Sequence, residues 1–421
     1  MIMLDRKTAP KHAEINSFHL PSPEIKILNN SVPLFLLRGI AQGVLKIELV
    51  FDAAKWVEPK IGLSYFTAHM LEKGTATKTS FQIADFFDRF GASVEVSTGF
   101  DFVSLSLFCL TKNMGAVLPH FLELVTSPTF PEDELVLQKD IFKQTQKINN
   151  EKTSFVASKL IRQRLYGNSH PYGSSMEEDD VNQLTQQDLS DFFRDHFSLN
   201  QMFVVGSLDD QLLESLISEL TAIPCPSKNK NLSSKLIQQN PSSAHIEKPG
   251  SIQSSLRLGK RTINRSHRDY PALILINHLL GGYFGSRLMK NIREDKGLTY
   301  GIHSSVSCLK NDAFFVIAAD VNRINKDVAL SEIKNEVRLL CDDVVNVHEL
   351  LTVKNHLLGS LKVEIANPFA VIEKIKTIHL NGLDDSFYNN LFLSILDLNE
   401  VTLQEAANQY LSGTLHEVSV G

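Results

Sequence analysis

Strand-like alternation of apolar and polar positions opens each half of the chain. It runs through VLKIELVFDAAKWV (Val44 to Val57) in the first half and SSLRLGKRTI (Ser254 to Ile263) in the second. A period of two turns one face of a strand toward a core and the other away from it. Each stretch then gives way to a helical pattern, IGLSYFTAHMLEKG in one half and YPALILINHLLGGYFGSRLMKNIRED in the other. Both halves return to strands, ASVEVSTGFDFVSLSLFCL and TYGIHSSVSCLKNDAFFVIAADV, and then to long amphipathic helices. The matching order predicts an α+β fold of two homologous domains, each a mostly antiparallel sheet with helices packed on one side.

Turn and breaker residues set the boundaries. The stretch 222–245, rich in Ser, Asn, Lys and Pro, lacks a sustained apolar period and reads as a linker. The expected division is an N-terminal extension over 1–24, a first domain over 25–221, that linker, and a second domain over 246–421. Within the first domain a long helix is entered through Pro131, with Glu132, Asp133 and Glu134 in its first turn where carboxylates suit the helix dipole. The pair Thr185 and Asp188 has capping-box spacing ahead of another helix, and NQMFVVGSLD follows as a short β-rich run.

Composition narrows the function classes. A length of 421 residues suits two or three folding units, with apolar and charged fractions of a globular protein. A formal net charge of −6 gives no basic footprint for nucleic acid. The longest apolar run is interrupted by Asn277 and His278 and is too short for a membrane span. The N-terminal residues carry no apolar signal core. The scattered Cys109, Cys225, Cys308 and Cys341 form no Cys-x-x-Cys pair, so the expected setting is a reducing cytoplasm. No Walker sequence, dinucleotide fingerprint or Gly-x-Ser-x-Gly elbow is present. His348 and Glu349, with His356 downstream, miss His-Glu-x-x-His spacing and are expected on a solvated helix face; His170 in HPYG is expected to shape a turn.

The chemistry-bearing stretch is GLSYFTAHMLEKGT, Gly62 to Thr75, followed by FDRFGASVEVSTGFDFVSLSL, HPYG, and HLLGGYFGSRLMKNIREDKGLTYGI in the second half. In this order, over about Ile25 to Leu411, these segments resemble the insulinase/pitrilysin-like zinc peptidases, the inverzincins. The likeness is to the two-domain bacterial and mitochondrial-processing-peptidase type. Such peptidases carry His-x-x-Glu-His on one helix, with two histidines as ligands, a glutamate as general base and a distal carboxylate ligand.

Carried over by position, the resemblance puts Tyr65 at the first histidine, Ala68 at the base, His69 at the second histidine and Thr145 at the distal ligand. A slip of one residue gives Gln144 or Gln146, which restores no carboxylate. A catalytic zinc site keeps three protein ligands and an open position, so one imidazole without a base predicts no metal and no hydrolysis in this chain. An altered site using Tyr65, His69 and Glu72 or Glu151 is the remaining metal-dependent reading.

In the second half the resemblance assigns substrate binding to Arg293 and Tyr300. An Arg fork suits peptide carbonyls or carboxylates, and a phenol can donate to a carbonyl oxygen. Gly281, Gly282 and Gly297 are expected at tight turns or close approaches, and Ala92 to Phe100 as an exposed strand edge for peptide.

Three functions follow. The first is a non-catalytic subunit of a heterodimeric zinc peptidase, supplying Arg293 and Tyr300 to a partner that holds Zn and an intact His-x-x-Glu-His. The second is a structural or peptide-binding protein with no role in proteolysis. The third is a peptidase with an altered metal site. The expected partners are a homologous subunit or a second copy, and a peptide, with neither nucleic acid nor membrane.

Overall fold

The computed structural model describes residues 17–40, 43–223 and 242–421. Strands β1 (Glu24–Ile27), β2 (Pro33–Arg38), β3 (Val44–Phe51), β4 (Ser93–Thr98), β5 (Val103–Leu110) and β6 (Leu199–Gly206) build one sheet, ordered β1-β2-β6-β3-β5-β4. Strands β7 (Ser243–Ile246), β8 (Gln253–Thr262), β9 (Thr299–Cys308), β10 (Ala313–Asn322) and β11 (His416–Val420) build the other, ordered β7-β11-β8-β10-β9. Each sheet is antiparallel except for one pair, β2 with β6 and β7 with β11. In both, the last strand of the half inserts beside the strand that opened the alternation. Setting β2 to β6 against β7 to β11 therefore matches every neighbour and every direction, the duplication expected from element order.

The stretch read as a linker is shorter than expected. Residues 224–241 lie outside the described residues, but Ser243–Ile246 already form β7 beside β11. The single long helix expected from YPALILINHLLGGYFGSRLMKNIRED is broken. It runs over Tyr270–Asn277, continues as a π-helical turn over His278–Gly282, and resumes in Met289–Asp295 after Tyr283 takes an extended backbone. The cause is close packing on β9. A Cβ on Gly281 would come within 2.5 Å of the Ser304 nitrogen, so the helix can lie this near only with glycine there.

Helices of each half cover one face of their own sheet and form the two main cores. The opposite face of each sheet is covered by a helix from the other half. Helix Thr153–Tyr166 lays Ala157, Ile161 and Leu165, one face at a spacing of four, on Val316, Val418 and Val420 of the second sheet. In return, helix Pro368–Leu380 lays Val371, Ile372, Ile375 and Ile378 on Phe35, Phe203 and Val205 of the first. Burial on both faces explains why the central strand β10, AFFVIAADVN, reads as a nearly continuous apolar run.

Charge also crosses this boundary. Lys46 and Glu48 share the outer face of β3 with Val50, and they meet Glu373 and Lys376 of the exchanged helix. Ion pairs of 2.8 Å (Lys46–Glu48), 2.7 Å (Lys46–Glu373), 2.7 Å (Lys376–Glu373) and 2.8 Å (Lys376–Glu48) close a ring of alternating sign. Burial alone would push the Glu48 carboxyl up; Lys376 and Lys46 outweigh it and hold it below its ordinary value. A second tie is polar. Asp101 accepts from the Tyr172 hydroxyl at 2.6 Å and the Trp56 indole at 2.9 Å, and also from the Lys310 backbone N–H at 2.9 Å across the boundary.

Candidate functional site

Helix Leu63–Met70 follows Gly62, whose φ of +100° lies in the left-handed region. The helix N-terminus is capped from a distance: the Glu58 carboxylate accepts from the Gly62 and Ser64 backbone N–H groups at 3.2 Å each. Burial pushes this carboxyl up to about 7, against the opposing pull of Lys55. Leu63, Phe66, Ala68 and Met70 face the first core, and Ala68 has no exposed surface. The methyl at the expected base position therefore fills core space and reaches no solvent.

Tyr65 and His69, one turn apart, stack on each other with ring centroids 4.0 Å apart. The His69 Nδ1 lies 2.8 Å from the Tyr65 carbonyl. A carbonyl only accepts, so Nδ1 carries the proton and Nε2 holds the imidazole's one free lone pair. Burial lowers the His69 pKa and raises that of the Tyr65 phenol, keeping the ring neutral and the hydroxyl protonated. Thr145, exposed on helix Glu132–Glu151, lines one cleft with Tyr65. Gln146 is engaged elsewhere, donating to the Met176 carbonyl at 2.7 Å. Burial also raises the Glu72 pKa, favouring its neutral form.

These donors do not fit zinc. The positions offer one shielded imidazole nitrogen, a phenol and an alcohol, and among the described residues no three His, Cys, Asp or Glu side chains are grouped to hold a metal ion. An altered site of Tyr65, His69 and Glu72 would have to ionise a phenol whose pKa burial raises and a carboxyl that burial keeps toward its neutral form.

The cleft itself, about 420 Å³, is formed entirely by the first half. Its apolar walls include Phe100, Phe142 and Phe155, and Lys55, Glu58, Lys159 and Arg162 supply its charges. Thr98 of β4 and the adjoining Gly99 lie along it. Strand β4 pairs on one side only, with β5, so the expected exposed strand edge borders this cleft.

Arg293 and Tyr300 do not line that cleft. Arg293 belongs to the turn Met289–Asp295 and stacks over Phe284 at 4.7 Å; among the described residues it makes no ion pair with its neighbours Glu294 and Asp295. Gly297, with φ of +60°, reverses the chain into β9, the edge strand of the second sheet, where the Tyr300 ring is 92 % exposed.

Two minor expectations change. His348 is exposed as a solvated face would have it, but on the same helix Glu349 grips Arg287 at 2.8 Å and His356 lies 2.8 Å from the buried His278. His170 does shape a turn, accepting from the Tyr172 N–H at 3.1 Å, yet it is buried among Trp56, Tyr166 and Tyr172 rather than turned to a ligand. Sequence reasoning missed Lys55, Glu58 and Arg162. The position of Glu58 four residues before Gly62 was the available sign, since a carboxylate ahead of a helix without a Ser, Thr, Asp or Asn cap can serve its free N–H groups.

Comparison with known proteins supplies the remaining context. Residues 44–179 match the family described as Insulinase (Peptidase family M16), and residues 183–357 match the Peptidase M16 inactive domain. A Bacillus subtilis protein called uncharacterized zinc protease YmxG is 26 % identical over 78 % of this chain and 80 % of its own length. A Helicobacter pylori relative called non-peptidase homolog YmxG is 23 % identical over 86 % of this chain and 81 % of its own. A crystal structure of a peptidase M16 inactive domain from Pseudomonas fluorescens superposes with a TM-score of 0.87 at 24 % identity, covering 95 % of this chain and 98 % of that one.

Proposed function

From a chain that belongs to the M16 insulinase family yet carries Tyr65, Ala68 and Thr145 where that family needs ligands and a base, we propose a non-catalytic, peptide-holding subunit. Its partner is a homologous chain with an intact His-x-x-Glu-His and the zinc ion, and Arg293 and Tyr300 complete that partner's site. The observation that supports this most is placement: Tyr300 is 92 % exposed on the edge strand β9 and Arg293 lies on the turn leading into that strand, both outside the chain's own cleft, and among the described residues Arg293 makes no ion pair. A phenol this exposed meets only groups that another molecule brings, and the half-buried Arg293 guanidinium is held over Phe284 rather than over a carboxylate. The cytoplasmic setting expected from the cysteines belongs to the same proposal.

The test is a peptide-cleavage assay on this chain, on a motif-bearing relative from the same organism, and on their mixture. The mixture is expected to cleave, to be silenced by a chelator, and to lose on the order of 100-fold in kcat/KM with Arg293→Ala. This chain alone is expected to be inactive. An active mixture indifferent to Arg293→Ala would favour a second reading, a peptide-binding or structural protein with no part in proteolysis. The cleft and its strand edge, both built from this chain alone, support that alternative.

A further inference from the structure

We propose that the first-half cleft is a carboxylate-binding site, in which Lys55 and Arg162 hold the acidic group of a peptide whose neighbouring apolar side chain lies on Phe100, Phe142 and Phe155. Two cations converge on one ring: the Lys55 Nζ lies 5.4 Å and the Arg162 Cζ 5.8 Å from the centre of Phe100. Neither makes an ion pair among the described residues. Among the described residues the Lys55 ammonium gives one hydrogen bond, to the Ser174 carbonyl at 3.2 Å, leaving two of its three protons for a ligand. The Arg162 Nη1 donates to the Ser158 carbonyl at 3.0 Å, while its buried Nε has no hydrogen-bond partner among the described residues.

The third cation of the cleft, Lys159, differs: it is already paired with Glu177. Glu58, the acid of the cleft, spends its carboxylate on the helix N-terminus; it pulls on the Lys55 ammonium but forms no contact ion pair with it. Half-buried cations without a contacting anion are costly to keep, and the cost falls when an anionic ligand enters. The cleft lacks the imidazole pair and distal carboxylate that suit a dication, and its cations Lys55, Lys159 and Arg162 outnumber its one acid, Glu58, so its charge complements an anion. Aromatic walls around a charged floor favour a carboxylate carried on an apolar peptide over a small inorganic ion.

The inference deepens the peptide-holding reading but is measured on this chain alone. Its failure leaves the Arg293 mixture assay untouched, and the reverse also holds. The experiment titrates the full chain with three short peptides of one apolar core: free C-terminus, amidated C-terminus, and amidated with an internal Asp. Calorimetry and the fluorescence of Trp56, the chain's single tryptophan and the neighbour of Lys55, report binding. At least one carboxylate-bearing peptide is expected to bind 10-fold or more tightly than the amidated one, and which of them wins identifies a terminal or side-chain source.

Lys55→Met and Arg162→Met keep the apolar stems and should each remove most of that preference, with melting curves confirming the fold. Lys159→Met should leave the preference in place. Because the variants could misfold, added salt on the unaltered chain gives a second reading: it should weaken only the carboxylate peptides. Equal binding of all three peptides, an unchanged preference in both Met variants, or saturation by inorganic phosphate without any peptide preference would overturn the proposal.

Discussion

The two halves share strand order, strand direction and the exchange of one helix, but they place their polar groups in opposite ways. The first half turns Tyr65, Lys55, Glu58 and Arg162 into a cleft of its own. The second turns Tyr300 outward on its edge strand and holds Arg293 half-buried over Phe284, away from any cleft of the first half. Imidazoles show the same contrast on a smaller scale. His69 and His278 each stack on a tyrosine, at 4.0 Å and 4.8 Å between centroids, and burial lowers both pKa values, His278 to about 4. His69 answers to a backbone carbonyl, whereas His278 answers to a second imidazole, His356. A duplicated scaffold fixes where side chains stand; it leaves open whether they face this chain's interior or another molecule.

The contrast holds only if the halves are one cooperative body, and the largest expected effect tests that. Phe203 is buried against Phe35 beneath the exchanged helix Pro368–Leu380. Phe203→Ala is expected to cost about 3–5 kcal/mol and to lower a single denaturation midpoint for the entire chain. Separate transitions by tryptophan fluorescence, which sees the first half, and by circular dichroism would show the halves to be independent.

Glu48→Gln comes next, since it leaves Lys46 and Lys376 with only Glu373 and should cost about 3 kcal/mol near neutral pH. The pH profile gives the sign. Glu48 is held below the ordinary carboxylate value of 4.5, so its stabilisation is present above that pH and disappears as pH falls through its lower folded value. The variant should therefore converge on the unaltered chain in acid, as read from urea midpoints below pH 4.5.

Glu58→Gln is the smallest and has the opposite sign. Its carboxyl is raised to about 7, so the unaltered chain should lose stability as pH rises from 4.5 through 7. Glutamine keeps an acceptor for Gly62 and Ser64 without the buried charge. The variant should match the unaltered chain at pH 5 and exceed it at pH 8 by about 1 kcal/mol, a few degrees in melting temperature.

Much of the fold is legible in the sequence because its strands and helices follow local periods. The alternations beginning at Val44 and Ser254, the helix after Pro131 and the Thr185 capping box all stand where the pattern puts them. The short strands β7 and β11 are not legible, because four or five residues carry too little period and their pairing partners are distant in the chain. The exchange of helices is hidden for a related reason: an amphipathic stripe announces that it will be buried but not against which half. At the site, the loss of ligands at Tyr65, Ala68 and Thr145 is visible as letters. Lys55 and Arg162 meet only through folding, across more than a hundred positions of chain.

The reciprocal exchange of helices Thr153–Tyr166 and Pro368–Leu380 has a mechanical consequence. Opening the molecule like a book would peel two greasy surfaces into water at once and snap the charge ring between them. The chain is therefore a stiff bracket rather than a jaw, and a long peptide would have to enter the first-half cleft without the two halves parting.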